Sequence, residues 1–357
     1  MKQWPIIPEL AVRLDELRAR DILRSEPRPT SALSFARNDY LGLADSLGSG
    51  ASRLLGAERA ALDALECKLD AWLQGQCTVL SSGYAANMAM IGALIGPNDL
   101  VLSDARNHAS LVDALRLTKA RVLVFPHLDL QAALEQSATR GSAQRVWCVI
   151  ESYYSMDADS PDIDAWLQAL EQVDVRVLVD ESHAIGLFGD GGRGLCWSAS
   201  RRPHAISFGL GKAFASMGGV VCGAQPLRAT LVNFGRPLMF STAPPPALLE
   251  SVQRRLHYIA QAEAQRRLAL ARAAVFRSKL AGLGYRLLGH GPIVPVVVGD
   301  ENSALQLSRR LLSLGMDAPA IRYPTVPIGE ARLRINLSLT HTDAQLDQLV
   351  AALGAYP

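Results

Sequence analysis

The chain has 357 residues, of which 49% are hydrophobic and 20% are charged, and its formal net charge is +2. A chain of this length exceeds the size at which a single core stops growing, so we expect one large and one smaller domain. A net charge this close to zero gives no electrostatic basis for binding nucleic acid, and we predict no such partner.

The cysteines and the apolar segments bear on where the protein works. The cysteines are far apart and show neither zinc-ligand nor disulfide spacing, so they are predicted to be reduced thiols in the core. They are Cys67, Cys77, Cys148, Cys196 and Cys222. The N-terminal residues lack the apolar stretch of a signal peptide, and the longest uncharged apolar segment, residues 88–96, is too short to span a bilayer. We therefore expect a cytoplasmic protein that does not bind membranes.

The first two thirds of the chain alternate between strand and helix patterns. An arginine-rich lead-in with helical leucine spacing is broken at Pro27 and Pro29, which predicts an N-terminal arm over residues 1–37. Helical periodicity then covers residues 58–74. Short apolar runs follow at residues 77–80, 100–103, 121–125, 146–151, 175–180, 205–207 and 219–222. Such runs are typical of strands buried on both faces, so residues 38–258 are predicted to form a large α/β domain around a mostly parallel sheet.

The last third of the chain has a different pattern. Residues 244–283 form one long helical stretch that leads out of the sheet domain. Beyond it, strands are predicted at residues 294–298, 316–321 and 332–337, and helices at residues 303–313 and 343–353. This pattern predicts a smaller α+β domain over residues 259–357.

Polar residues lie where the predicted parallel strands end, which is where functional side chains gather in such sheets. Ser82, Gly83 and Tyr84 follow one strand and open a helix, so their backbone N–H groups can bind a phosphate. The alternative is an ordinary helix cap. Asp180 ends another strand three residues before His183. A carboxylate there is either a paired functional group or a helix N-cap.

Two further residues are candidates for chemistry. Lys212 lies in a glycine-rich turn just after a strand, where an amine can act as a nucleophile. The alternative for Lys212 is a solvated surface charge. His108 precedes a predicted helix and, taken alone, is typical of a helix start.

The order of these elements resembles the pyridoxal-phosphate-dependent α-oxoamine synthase family over nearly the whole chain. The segments that carry the resemblance are residues 38–43, 82–87, 107–111, 151 with 155–157, 179–183, 192–194 and 240–245. It implies a pyridoxal-phosphate-dependent transferase of fold type I. Residues 320–327 and 331–334 are most similar to the branch that joins alanine to a pimeloyl thioester in biotin synthesis.

The resemblance implies a role for each candidate in binding pyridoxal 5'-phosphate. Lys212 would hold the cofactor through its amine and later act in proton transfer. Asp180 would keep the pyridine nitrogen protonated, which makes the ring an electron acceptor. His108 would stack on the ring, while His183 and Ser155 would hydrogen-bond its phenolic oxygen.

The same resemblance implies the phosphate site and the oligomer. Ser82, Gly83 and Tyr84 would line the phosphate site or the adjacent cofactor pocket. Ser241 and Thr242 resemble residues that reach the phosphate of the neighbouring subunit, which implies a homodimer with shared active sites.

It also implies the substrate contacts. Arg334 would bind the amino-acid carboxylate, because a guanidinium group fits a carboxylate bidentately. Asn38 would position the substrate, and the segment that begins at Arg322 would shape a tunnel for the acyl chain. The acyl group would arrive as a thioester of coenzyme A or of an acyl carrier protein.

Three departures from the family pattern leave other functions open. The helix usually found before Gly48 is reduced to four residues, Leu62 replaces a common histidine, and Gly209 replaces a phosphate-binding hydroxyl residue. One alternative is a catalytically weak subunit that stabilises an active homologue. The others are a synthase that uses glycine and acetyl-CoA, and an aminotransferase with the same fold.

Overall fold

The computed structural model of the protein describes residues 2–26, 52–54 and 59–355. The chain forms two compact units, Met1–Ser152 with Pro161–Gln261 and Tyr153–Ser160 with Ala262–Pro357. The second unit thus includes a segment from the middle of the chain, which the sequence pattern placed in the large domain. Within that unit the segment is held by hydrogen bonds from Tyr153 to the carbonyl of His290 and from Arg334 to the carbonyl of Ser155.

The first unit contains a seven-stranded sheet. Its strands are β1 Gln76–Leu80, β2 Leu100–Asp104, β3 Arg121–Phe125, β4 Val146–Glu151, β5 Val175–Asp180, β6 Ala205–Gly209 and β7 Gly219–Gly223. Their order in the sheet is β1-β7-β6-β5-β4-β2-β3. Pairing is parallel from β6 through to β3, whereas β7 runs antiparallel to both of its neighbours. The predicted mostly parallel sheet is confirmed.

Both faces of this sheet are buried because alternate side chains point to opposite sides of each strand. In β4, Cys148 and Ile150 belong to one apolar cluster and Trp147 and Val149 to another. The helices of the unit are α1 Pro8–Ala19, α2 Ala60–Leu73, α3 Gly83–Leu94, α4 Ala109–Thr118, α5 Leu130–Ser137, α6 Ile163–Gln172, α7 Leu195–Ser198, α8 Leu227–Phe234, α9 Arg236–Met239 and α10 Pro246–Gln261. A short 3-10 helix covers Asp190–Gly192.

Two local predictions are corrected here. Cys67 is exposed while the other four cysteines are buried, because residue 67 lies off the apolar face of α2 formed by Leu62, Leu65 and Leu69. The single helix predicted over residues 244–283 is two helices, since the chain leaves helical geometry at Ala262. Across the described residues, no helix has the length and apolar character needed to cross a membrane.

The second unit is a four-stranded antiparallel sheet with three helices among its described residues. Its elements are α11 Glu263–Gly282, β8 Arg286–Leu287, β9 Ile293–Gly299, α12 Glu301–Ser313, β10 Ala320–Ile321, β11 Ala331–Asn336 and α13 Asp343–Gly354. The strand order is β10-β11-β9-β8. The strand predicted at residues 316–321 is confined to its last two residues. The pattern missed β8, which is too short to show a period.

Arg332 and Arg334 alternate with Leu333 on β11, an interior strand, so both side chains lie on the same face of the sheet. β11 is not an edge strand, so these arginines are not surface charges at the edge of the sheet. Arg332 is fully buried and forms ion pairs with Asp157 at 2.6 Å and Glu330 at 2.9 Å. Its guanidinium thus ties β11 to the segment from the middle of the chain.

Replacing Arg332 by alanine should lower the free energy of unfolding by about 3–5 kcal/mol, because the buried carboxylate of Asp157 loses its cationic partner. Arg286→Ala is the matched control, since exposed Arg286 pairs with the same Glu330 at 3.5 Å. That control should cost less than about 1 kcal/mol. Urea unfolding of both variants measures the difference, and equal losses would contradict a structural role for Arg332.

Candidate active site

A cavity of about 270 Å³ lies in the first unit at the carboxyl ends of its parallel strands. It is lined by backbone and side chains that follow β1, β2, β4, β5 and β6. Seven residues singled out from the sequence line this cavity together: Ser82, Gly83, Tyr84, His108, Asp180, His183 and Lys212. The topology of the sheet brings them together, because parallel strands end at the same edge.

The N-terminus of α3 forms one wall of the cavity. The Ser82 side chain accepts a hydrogen bond from the Ala85 backbone N–H at 3.0 Å and caps the helix. Gly83 has no room for a side chain, since a Cβ there would lie 2.9 Å from the Cα of Gly209. Backbone N–H groups in the first helical turn have no partner within the helix, so this wall can accept an anion.

The sequence resemblance places Gly209 at the position of a phosphate-binding hydroxyl residue. A Cβ built on Gly209 would meet Gly83 and Ser182 at ordinary contact distances of 3.6 Å or more. Space for a side chain is therefore present at position 209. The Gly209 N–H instead donates to the Ser182 hydroxyl at 3.0 Å.

Asp180 is 5% exposed at the end of β5, and internal hydrogen bonds replace its water contacts. One carboxylate oxygen accepts the Ser182 backbone N–H at 2.8 Å, and the other accepts the Asn87 side-chain amide at 2.7 Å. The Asn87 carbonyl oxygen accepts from the Ser207 hydroxyl. Asn87 lies on α3, so this network joins the helix to β5 and β6.

His108 is connected to the same network through a serine. Asn87 donates to the Ser110 hydroxyl at 2.8 Å, and that hydroxyl lies 2.8 Å from Nδ1 of His108. The Ser110 backbone N–H also donates to Nδ1 at 3.2 Å. Nδ1 therefore acts as an acceptor, and a neutral ring carries its proton on Nε2.

Glu151 is a cavity residue to which the sequence reading assigned no role. It ends β4 directly beside Asp180 and is 4% exposed. Its carboxyl accepts the His108 backbone N–H at 2.6 Å. Burial, and then the negative charge of Asp180, raise the pKa of Glu151 well above its usual value. The sequence signal that could have identified Glu151 as a site residue is its position at the end of a strand that neighbours the strand of Asp180.

Lys212 reaches the cavity from an exposed turn after β6. The turn is closed by hydrogen bonds from the Ala215 N–H to the Lys212 carbonyl and from the Ser216 N–H to the Leu210 carbonyl. The amine of Lys212 forms no hydrogen bond or ion pair with any described residue. A primary amine without a salt-bridge partner is available for covalent chemistry.

Tyr84 and His183 complete the set of predicted residues in the cavity. Tyr84 is 44% exposed, and its hydroxyl donates to Asp113 on α4 at 2.5 Å. That bond raises the pKa of Tyr84. The imidazole of His183 is half-buried, three residues beyond Asp180.

The remaining predicted residues lie elsewhere or outside the described part. Asn38 falls outside the described residues. Ser241 and Thr242 belong to the first unit but do not line the cavity, and Ser241 donates to the Pro237 carbonyl instead. Ser155, Arg322 and Arg334 belong to the second unit and are described within it.

Arg334 is half-buried on β11. Its Nε donates to the Ser155 carbonyl at 2.7 Å, and burial lowers its pKa. The two terminal nitrogens donate to no described residue, so the planar end of the guanidinium is available to a carboxylate. Arg322 is exposed and begins a turn. The turn is closed by a hydrogen bond from the Thr325 N–H to the Arg322 carbonyl.

The fold and the sequence both match known proteins. The profile of the family described as aminotransferase class I and II matches residues 33–353. The chain therefore belongs to the aminotransferase class I and II family. The resemblance inferred from the sequence is confirmed, and the fold is that of pyridoxal-phosphate enzymes of fold type I.

Among the relatives of this chain within the family are proteins named 8-amino-7-oxononanoate synthase. The 8-amino-7-oxononanoate synthase of Nitrosomonas europaea is 38% identical over 344 residues, which cover 90% of this chain and 88% of that protein. A putative 8-amino-7-oxononanoate synthase of Geobacillus kaustophilus is 36% identical over 377 residues, with 96% of each chain covered.

Solved structures agree with this family. A structure of SPT with a PLP internal aldimine has a TM-score of 0.82 and 25% identity, covering 87% of this chain and 79% of the other. The 8-amino-7-oxononanoate synthase of Francisella tularensis has a TM-score of 0.73 at 23% identity, covering 84% and 88%. Because its identity is only 23%, the second comparison shows a shared fold and nothing more.

The raised pKa of Glu151 predicts a pH-dependent stability. In the unfolded chain this carboxyl has the ordinary glutamate pKa of about 4.5, and in the folded protein it ionises only at higher pH. Stability is therefore lost as the pH rises between these two values. Glu151→Gln, which keeps an acceptor but cannot ionise, should become more stable relative to the native protein as the pH rises above the pKa of an unfolded glutamate.

Urea unfolding of the cofactor-free protein at several pH values measures this effect. Glu135→Gln is the control, because it removes an exposed carboxyl on α5 and should follow the native pH dependence. A constant difference between Glu151→Gln and the native protein at all pH values would contradict a neutral buried Glu151.

Proposed function

We propose that this protein condenses L-alanine with a pimeloyl thioester, carried on coenzyme A or on an acyl carrier protein, and releases carbon dioxide. The product is 8-amino-7-oxononanoate, an intermediate in biotin biosynthesis. The observation that carries the proposal is the cavity in which Lys212, Asp180, His108 and the N-terminus of α3 meet. The relatives that bear the name of this synthase, at 36–38% identity, support the choice of substrates.

The residues of the cavity fit pyridoxal phosphate. An amine without a described partner matches its aldehyde, and a buried carboxylate matches its ring nitrogen. An imidazole matches the ring face, and the backbone N–H groups at the start of α3 match the phosphate. The close approach of Gly83 and Gly209 leaves backbone rather than side chains on the phosphate wall. When bound, this cofactor supplies an electron-withdrawing ring that stabilises negative charge at the amino-acid α-carbon.

The protein residues then have separate tasks. The Asp180 carboxylate, fixed by Asn87 and the Ser182 N–H, holds a proton on the ring nitrogen. The amine of Lys212 takes a proton from the amino-acid α-carbon and later returns one. The imidazole of His108, fixed in one tautomer by Ser110, covers the ring and excludes water.

The other contacts of the cofactor complete this proposal. His183 and Ser155 would hydrogen-bond the phenolic oxygen of the ring. Ser82, Gly83 and Tyr84 hold the phosphate or line the adjacent pocket.

The substrate contacts are proposed from the second unit and the N-terminal region. Arg334 binds the alanine carboxylate through its terminal nitrogens, and Asn38 helps to position the substrate. The turn that starts at Arg322 lines the path of the acyl chain. This assignment rests on the family resemblance and on the terminal nitrogens of Arg334, which have no partner in the described part of the chain.

The proposal includes a cytoplasmic homodimer whose active sites are shared between subunits. Ser241 and Thr242 do not line the cavity of their own chain, which fits a role in the neighbouring subunit. All five cysteines are free thiols, as is usual in a reducing compartment.

Product analysis tests the proposed reaction. Purified protein with pyridoxal phosphate, L-alanine and pimeloyl-CoA should give a product with the mass of 8-amino-7-oxononanoate. Lys212→Ala should lower its rate of formation by at least about 10²-fold, because the group that transfers the proton is lost. Glycine with acetyl-CoA is the competing substrate pair. Turnover of that pair alone would contradict the substrate assignment, and turnover of neither would indicate a weak partner subunit.

Arg334→Ala should raise the KM for alanine by about 10²-fold or more, because the substrate carboxylate loses a bidentate partner. Steady-state kinetics with varied alanine measure the effect. Arg286→Ala is the control, because Arg286 is exposed on β8. Arg332 is not used as a control, because its buried ion pair with Asp157 gives it a structural role. Similar small changes in both variants would contradict carboxylate binding by Arg334.

A further inference from the structure

A second and larger cavity, of about 650 Å³, lies in the first unit at the amino end of β5. We call it the amino-edge cavity. Its wall includes residues 2–6, the beginning of β5, residues 200–202 and His204. Asp180 of the candidate active site lies at the other end of β5, about 16 Å away at 3.3 Å per residue. The two cavities are therefore separate sites in the same unit.

Most charges around the amino-edge cavity are already compensated. Arg201 pairs with Glu171 at 2.6 Å, and Arg176 pairs with Glu9 at 2.7 Å. Asp174 is 93% exposed, so water screens its charge.

Arg202 differs from Arg176 and Arg201, the other two arginines of this wall. It is 5% exposed, its Nη1 donates to the Cys196 carbonyl at 2.8 Å, and it forms no ion pair with a described carboxylate. Its guanidinium lies 3.8 Å from the ring centre of Trp197 and 5.9 Å from that of Trp4. Aromatic faces stabilise a cation but do not neutralise it.

The nitrogens of Arg202 leave hydrogen-bonding capacity unused. Nε is buried from solvent and has no hydrogen-bond partner among the described residues. Nη2 also donates to no described residue and is not among the fully buried atoms, and Arg202 lines the cavity. A buried guanidinium without a carboxylate is costly unless an anion offsets its charge.

His204 adds a second donor to the same wall. Its Nδ1 accepts the Val177 backbone N–H at 3.2 Å, so the neutral ring carries its proton on Nε2. Burial, and then the charge of Arg176, lower the pKa of His204 to about 4. The imidazole is thus a neutral donor at physiological pH.

We propose that the amino-edge cavity binds a small organic anion through its phosphate or carboxylate oxygens, with Arg202 as the charged partner and His204 as a neutral donor. The cavity is larger than an inorganic oxyanion, and the ring of Trp4 offers an apolar wall to the rest of the ligand. The site lies apart from the residues that we assign to the acyl-transfer reaction, so it can be tested independently of that activity.

The test uses the cofactor-loaded protein at low ionic strength, titrated separately with inorganic phosphate, pyrophosphate and glutarate. We expect at least one of them to change tryptophan fluorescence saturably and to raise the melting temperature, because a ligand that binds the folded state stabilises it. A response to phosphate or pyrophosphate indicates that the site binds phosphate oxygens, and a response to glutarate indicates that it binds carboxylate oxygens. The absorption of the bound cofactor should stay constant. A cofactor signal that follows the titration, or the absence of any saturable response, would overturn the proposal.

Variants assign the binding to this cavity. Arg202→Gln should weaken it at least about tenfold, because a charge-assisted hydrogen bond is lost. Arg267→Gln, which removes an exposed charge from α11 in the second unit, should leave the affinity unchanged. Unchanged affinity in Arg202→Gln would overturn the assignment.

A double variant tests the anion site if Arg202→Gln does not fold. Lys2→Gln combined with Arg201→Gln removes two exposed cations from the rim of the cavity. The lower positive potential should weaken binding about threefold or more. Equal affinities of this double variant and the native protein would refute the anion site.

Discussion

The carboxylate of Asp180 is the constraint on which the candidate active site depends. A carboxylate buried at the end of a strand is stable only if hydrogen bonds replace the water that it has lost. The Ser182 N–H and the Asn87 amide supply these bonds. Since Asn87 also contacts Ser110 and Ser207, the need to satisfy one charge fixes α3 and the start of α4 relative to β5 and β6.

The same network explains how ordinary secondary structure produces a specific site. Glu151 and Asp180 end neighbouring strands in register, yet their surroundings differ. Both oxygens of Asp180 accept hydrogen bonds, whereas burial beside that charge favours the neutral form of Glu151. Two carboxyl groups with different tasks thus arise from one edge of one sheet. The main chain of His108 is anchored by one of them and its imidazole is linked through Ser110 and Asn87 to the other.

Much of this arrangement could be predicted from the sequence because it follows local rules. Apolar runs identify the central strands to within about two residues, and the strand ends identify Ser82 and Asp180. Asn87 was not predicted to have a role, because an asparagine within a helix gives no spacing signal. The break at Ala262 was missed for a similar reason, since alanine is the best helix former and nothing nearby breaks a helix. The contacts of Arg332 are distant in sequence, and no periodic pattern reports them.

The membership of residues 153–160 in the second unit makes the chain cross between the two units three times, after Ser152, after Ser160 and after Gln261. A fragment that ends at Gln261 would retain this segment but lose Arg332, Arg334 and the carbonyl that receives the Tyr153 hydroxyl. A fragment that begins at Ala262 would carry a buried arginine without its aspartate. The two units are compact but not modular, so during synthesis the second unit acquires a central segment made long before the rest of it.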